Sequence, residues 1–165
     1  MPLLEDGRLR PDDWTHVEDE APLPEGPAIV SLARLRAEAA SLAGRNAPLG
    51  VALPPETQPE EIAPFLDRLA LIAVKMPKSK DGRAFTQIRA LREHHGFAGE
   101  IRAAGHILPD QYAMLLRCGV TTVEVPEGTK PETWARSRDT IRIAYQAAQG
   151  ADRPLSLLRR KLELA

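Results

Sequence analysis

The chain reads as an α/β protein: a mostly parallel five-stranded sheet flanked by helices in an open three-layer sandwich. Three observations predict this. Five apolar runs occur, each about the length of one strand. Helix-periodic segments separate them, as crossovers between parallel strands require. Each run is near-continuously apolar rather than alternating, as expected of a strand covered on both faces. A partial barrel, curled like half of an eight-stranded TIM barrel, is the alternative, because five strands are too few to close one.

The elements follow in order. "AIVSL" (28–32) is the first strand, and "ARLRAEAASLAG" follows with Leu35, Ala39 and Leu42 at helical spacing and Gly44 at its stop. "LGVAL" (49–53) is the second strand, closed by Pro54-Pro55. "QPEEIAPFLDRL" should be helical, with Pro59 in its first turn and Pro64 shortening or kinking it. "LALIAV" (69–74) is the third strand, ended by Met76-Pro77. A helix over about 84–95 places Phe85, Ile88 and Leu91 on one side, with Gly96 at its C-cap. "EIRAAG" (100–105) is the fourth strand. A helix opened by Pro109 turns Tyr112, Leu115 and Leu116 inward, and Gly119 lies past its end. "TTVEV" (121–125) is the fifth strand, and the longest helix runs over about 131–148 with Trp134 on its buried stripe.

This divides the chain into an extended acidic arm (1–27), a single α/β domain (28–150) and a short amphipathic C-terminal helix (151–165). Proline among acids gives the arm little regular structure. The 165 residues, 43% hydrophobic and 27% charged, suit one packed domain rather than disorder. No apolar run approaches the ~18 residues needed to span a bilayer, and the first residues lack a signal core. A cytoplasmic address is expected, with no membrane association. Cys118 is the only cysteine, which excludes an intrachain disulfide and a four-thiolate metal site. No metal and no resident cofactor is expected. A net charge of -1 gives no nucleic-acid signal.

The charge is uneven. Residues 1–25 carry eight acids against two Arg, whereas residues 75–106 carry seven Lys or Arg against three acids. Either the acidic arm lies over the basic segment, or that segment steers anions or docks a partner. Ligands of open parallel sheets gather beyond the carboxyl ends of the strands. Strand three ends at 75–78 and strand four at Gly105-His106, so Lys78, Lys80, Arg83 and His106 could share one rim. The helix starting near Ala84 would aim free N–H groups there, a ready anion site. Asp81-Gly82 is a turn dipeptide; helix lead-in stands ahead of catalysis for Asp81. Arg102, inside an apolar strand, needs a carboxylate such as Asp110 or Glu124, with anion binding second. His106 is a candidate proton carrier, though a loop hydrogen bond is the plainer role. His94 and His95 point about 100° apart on a helix and make poor joint metal ligands. His16, in the acidic arm, carries no signal. Cys118 suits an inert buried thiol. Asp110 in a first turn and Arg117 in a last turn both suit the helix dipole without any function.

The stretch 81–120 resembles the core signature of a bacterial family, domain of unknown function 934. The pattern is carried by Asp81-Gly82-Arg83, Phe85-Thr86, Leu91-Arg92, Gly99-Glu100-Ile101-Arg102-Ala103, Gly105, Asp110-Gln111 and Arg117-Cys118-Gly119. Met76-Pro77 and Ser79 replace the family's Phe-Pro and second aromatic. The resemblance implies an α/β fold and an association with assimilatory sulfite reduction, whose family description is that of an oxidoreductase. It supplies no catalytic residues.

Two functions follow as expectations. The first is an accessory protein of sulfite reduction that docks on sulfite reductase or its electron donor through Arg83, Arg89 and Arg92. The second is a small-molecule enzyme or anion-binding protein that holds sulfite, sulfate or a phosphorylated nucleotide on Lys78, Lys80, Arg83 and Arg102. In that case His106 or Asp81 moves the proton. A homodimer interface could lie on the apolar helices around Leu115 and Trp134.

Overall fold

The computed structural model describes residues 1–140; the C-terminal helix expected over 151–165 and the end of the one expected over 131–148 lie outside them. Among the described residues the fold is mixed α/β with eight strands rather than five. The five expected runs form β4 (Ala28–Ser31), β5 (Leu49–Leu53), β6 (Leu71–Met76), β7 (Glu100–Gly105) and β8 (Thr122–Glu124). The arm supplies the other three: β1 (Leu3–Glu5), β2 (Arg8–Arg10) and β3 (Thr15–His16). The sheet order is β2-β1-β8-β7-β6-β5-β4-β3. Strands β3 to β8 are parallel and neighbour one another in chain order, while β1 joins β8 and β2 antiparallel.

The arm is therefore not an irregular lead. Asp6 and Gly7, with φ of 48° and 77°, form the two-residue loop of the β1–β2 hairpin. Asp-Gly at that loop is a strong local hairpin signal, because both residues must take positive φ. Residues 18–26 are tied down by arginines. Arg34 donates to the carbonyls of Glu18 and Ala21, both at 2.7 Å, and Arg45 donates to those of Pro24 and Gly26.

Helices follow the strands: α1 (Leu32–Ala37), α2 (Ala39–Leu42), α3 (Arg83–Glu93), α4 (Tyr112–Cys118) and α5, described over Pro131–Thr140. The helix expected after β5 is instead two 3-10 segments, Pro59–Glu61 and Ala63–Arg68. Prolines at 59 and 64 leave no uninterrupted stretch for α-helical bonding.

The helices share one face of the sheet. Val30, Val51, Ile72 and Ile101 stand in register across β4–β7 and pack in one core with Leu35, Ile88, Leu91, Tyr112, Leu115 and Trp134. Tyr112 and Trp134 meet edge to face at 5.6 Å. On the opposite face the buried hydrophobic residues Ile29, Leu71 and Ala73 form a small cluster, against Trp14 and Ala52. A three-layer sandwich with helices on both faces is thus not what forms.

The sheet is curled instead. His16 on β3 and Glu124 on β8 lie 3.1 Å apart, although four strands separate them. In a flat sheet they would sit roughly 24 Å apart. The partial-barrel alternative fits this architecture. Small inner-face residues permit the curl. A Cβ on Gly50 would meet Leu71 and Ile29 side chains at 3.1–3.2 Å.

Candidate functional site

The inner face carries charge. Glu100 and Arg102 are two residues apart on β7, and period-2 alternation turns both to the same side. Arg102 has no solvent exposure. Its guanidinium donates to Asp12 at 2.8 Å and to Glu100 at 3.0 and 3.1 Å, and Glu124 lies at 3.8 Å. Thr122 donates its hydroxyl to Glu100 at 2.5 Å, and Arg10 lies 3.8 Å from the same carboxylate. A buried guanidinium is stable only with its donors used and its charge matched. Three carboxylates around one Arg match its charge within the protein, so Arg102 needs no ligand anion. Glu124 is one of the expected partners; Asp110 is not among the residues contacting it.

The other basic residues scatter by role. Arg83 is exposed and forms an ion pair with Asp81 at 2.6 Å. Asp81 also accepts the backbone N–H of Arg83 at 3.2 Å, so the start of α3 already has its anion. The Arg83 guanidinium, then its backbone N–H, hold the Asp81 carboxyl down to about 2. Asp81 is a helix lead-in here, and Gly82 precedes the first turn. Arg89 pairs with Glu93 one turn on, at 2.5 Å.

Arg92 is structural. It donates to the carbonyls of Gly119 at 3.0 Å, Gly99 at 2.8 Å, and Phe97. Burial pushes its guanidinium below the usual range. It also explains Gly119, which has φ of 109° and whose added Cβ would sit 2.6 Å from Arg92 Cγ. Cys118 is buried beside it, and burial pushes its thiol up, as an inert thiol requires.

Three positions build the rim at the carboxyl ends of the strands. Gly105 takes φ of 117° over the Met76 carbonyl, which also accepts the His106 N–H at 2.8 Å. Gln111 donates to the Ser79 carbonyl at 2.6 Å and accepts from the Leu108 N–H at 3.0 Å. These bonds tie the 77–82 loop, with Lys78 and Lys80, to the start of α4. Asp110 sits in the first turn of the short 3-10 segment there, and Arg117 in the last turn of α4. His106 is exposed on the same rim.

Next to this loop is a cavity of about 290 Å³, lined by His16, Pro54, Pro55, Lys75, Met76, Pro77, Ala104, Gly105 and Glu124. It lies where parallel-sheet proteins place their ligands. Arg83, Arg102 and His106 do not line it. Its ionisable groups are Lys75 on β6, Glu124 on β8 and His16 on β3. Glu124 Oε1 contacts His16 Nε2 and faces Arg102, so the buried network extends into the cavity wall. No carboxylate of the described residues forms an ion pair with Lys75. Among the described residues no three His, Cys, Asp or Glu side chains gather as a metal site, and no helix is long and apolar enough to cross a membrane.

Sequence reasoning missed His16 and left Lys75 as a strand end. Nothing near His16 announces its partner, which lies 108 residues away. Lys75 carried a signal: it is a charge at the last turn-out of an otherwise apolar strand, two residues from Pro77 at the rim.

Fold and site together define a half-barrel α/β protein with an ion-paired interior and a cavity at the carboxyl ends of its parallel strands. A family model matches residues 50–156, and the chain belongs to the family described as bacterial protein of unknown function, DUF934. Comparison with curated proteins finds no match. The matched segment begins in β5, so it includes Lys75 and Glu124 but not Asp12 or His16.

Proposed function

We propose that this protein binds a small anion in the rim cavity, with Lys75 as its counter-charge. The carrying observation is that the cavity wall holds a lysine that forms no ion pair among the described residues, beside the His16–Glu124 pair. Most other cations of the basic segment are already engaged: Arg83, Arg89 and Arg102 by carboxylates and Arg92 by carbonyls. In the setting of sulfur assimilation the ligands to try are sulfite, sulfate and a nucleoside monophosphate. His16 is placed to hold or move a proton at the bound molecule, with Glu124 orienting its ring. This moves the acid–base role from His106 and Asp81 to His16.

Thermal denaturation of the full chain with each anion at millimolar concentration tests the reading. Binding raises Tm, because a ligand at about 100 times its Kd stabilises by about 2.7 kcal/mol. The rise should vanish in Lys75→Met. Unchanged Tm with every anion would remove the reading.

A second reading is docking on sulfite reductase or its electron donor. It is favoured by exposed Leu108, which Gln111 links to the loop that carries Lys78 and Lys80. An exposed leucine near two lysines suits an acidic protein surface. Co-purification with the reductase should be salt-dependent and lost in Lys78→Glu/Lys80→Glu. Reversal of Arg92 is unsuitable as a test, since it would break three carbonyl contacts.

A further inference from the structure

The cavity's walls narrow its ligand class. This step rests on the anion reading above and asks which anion. Three of the nine lining residues are prolines, which have no N–H to offer, and Ala104 adds a further apolar side chain. Among the described residues, side-chain donors in the wall come from Lys75 and His16, whose Nε2 already faces Glu124. A sulfate or phosphate brings two negative charges and four oxygens, and one ammonium facing a wall that also holds a carboxylate matches a single negative charge better. Size points the same way. At about 290 Å³ the cavity has room for several water-equivalents of about 30 Å³ each, so a bare oxyanion would leave much of it as water against carbon. The carboxylate of Glu124 sits in the same wall and repels a second negative charge.

We infer that the cavity takes a small organic monoanion, a carboxylate or sulfonate head at Lys75 and His16 with an apolar body against Pro54, Pro55, Pro77 and Ala104. The head group neutralises Lys75, and the body displaces water that the proline walls cannot hydrogen-bond. Each further methylene buried there should tighten binding roughly fourfold until the cavity is full.

The test is calorimetric titration of the full chain with two homologous series, acetate to pentanoate and methanesulfonate to butanesulfonate, next to inorganic sulfate and sulfite. The expected result is a stepwise fall in Kd of several-fold per carbon in at least one series, with the longest member binding at least tenfold tighter than sulfate. Which series climbs identifies the head group. Lys75→Met should weaken the best binder at least tenfold, while Lys130→Met, away from the cavity, leaves it unchanged. Sulfate and sulfite binding with flat organic series would overturn this inference and leave the anion site standing. No binding by any anion would remove both. A climb that survives Lys75→Met would place the organic site elsewhere and overturn the inference.

Discussion

Arg102 and Lys75 are two cations on the same inner face of adjacent parallel strands. Arg102 stands opposite Ala73, and Lys75, two residues further along β6, opposite Ala104. Their fates differ completely. Arg102 is fully buried and shared by Asp12, Glu100 and Glu124, whereas Lys75 is exposed and lines a cavity. Depth along the strand decides which role a charge can take. Inside the curl the Arg102 side chain is out of contact with solvent, and the protein must supply its counter-ions. At the rim the lysine head reaches water, and it stays open to an incoming anion. The side-chain types agree: the rigid fork of Arg bridges several carboxylates, and the flexible Lys is a point charge.

The largest test of this contrast is Arg102→Met. It leaves three inner-face carboxylates without their shared cation and should cost about 3–5 kcal/mol in urea unfolding. Lys75→Met should cost less than about 0.5 kcal/mol in the same assay while removing anion binding. Comparable losses from both would erase the distinction. Next is Arg92→Ala, which strips donors from the Phe97, Gly99 and Gly119 carbonyls. About 1–3 kcal/mol should be lost, with no change in anion affinity. Asp12→Asn sharpens the role of the arm. It keeps an acceptor for Arg102 but removes the charge, so a loss of roughly 1 kcal/mol is expected, with the arm more readily cut by protease than in the parent.

The smallest effect belongs to Asp81. Its folded carboxyl is held at about 2, below its unfolded value of 3.8. A depressed acid stabilises above its unfolded value, and that contribution fades as pH falls from about 4 towards about 2. The Asp81 side-chain carbon, followed by NMR, should titrate near the lower end of that window in the parent and near 4 in Arg83→Met. An unshifted midpoint in the parent would mean that the Asp81–Arg83 pair does not persist in solution.

What the sequence determined by itself was local. The five apolar runs became β4 to β8 nearly in place, because a buried parallel strand is marked by its own composition. Ile88, Leu91, Tyr112, Leu115 and Trp134 face the core as their helical spacing requires. Two local signals were also present: Asp6-Gly7 announces a hairpin, and Glu100-x-Arg102 places an acid and a base on one strand face. What only the tertiary structure decided was long-range. The curl of the sheet, which brings β3 to β8, depends on how small inner-face residues pack across several strands. That curl joins Asp12 to Arg102 and His16 to Glu124, across 90 and 108 residues. Charge pairing at such separations leaves no periodic trace in a chain. The sequence could therefore show an excess of cations, while the fold alone determined which were neutralised and which remained available.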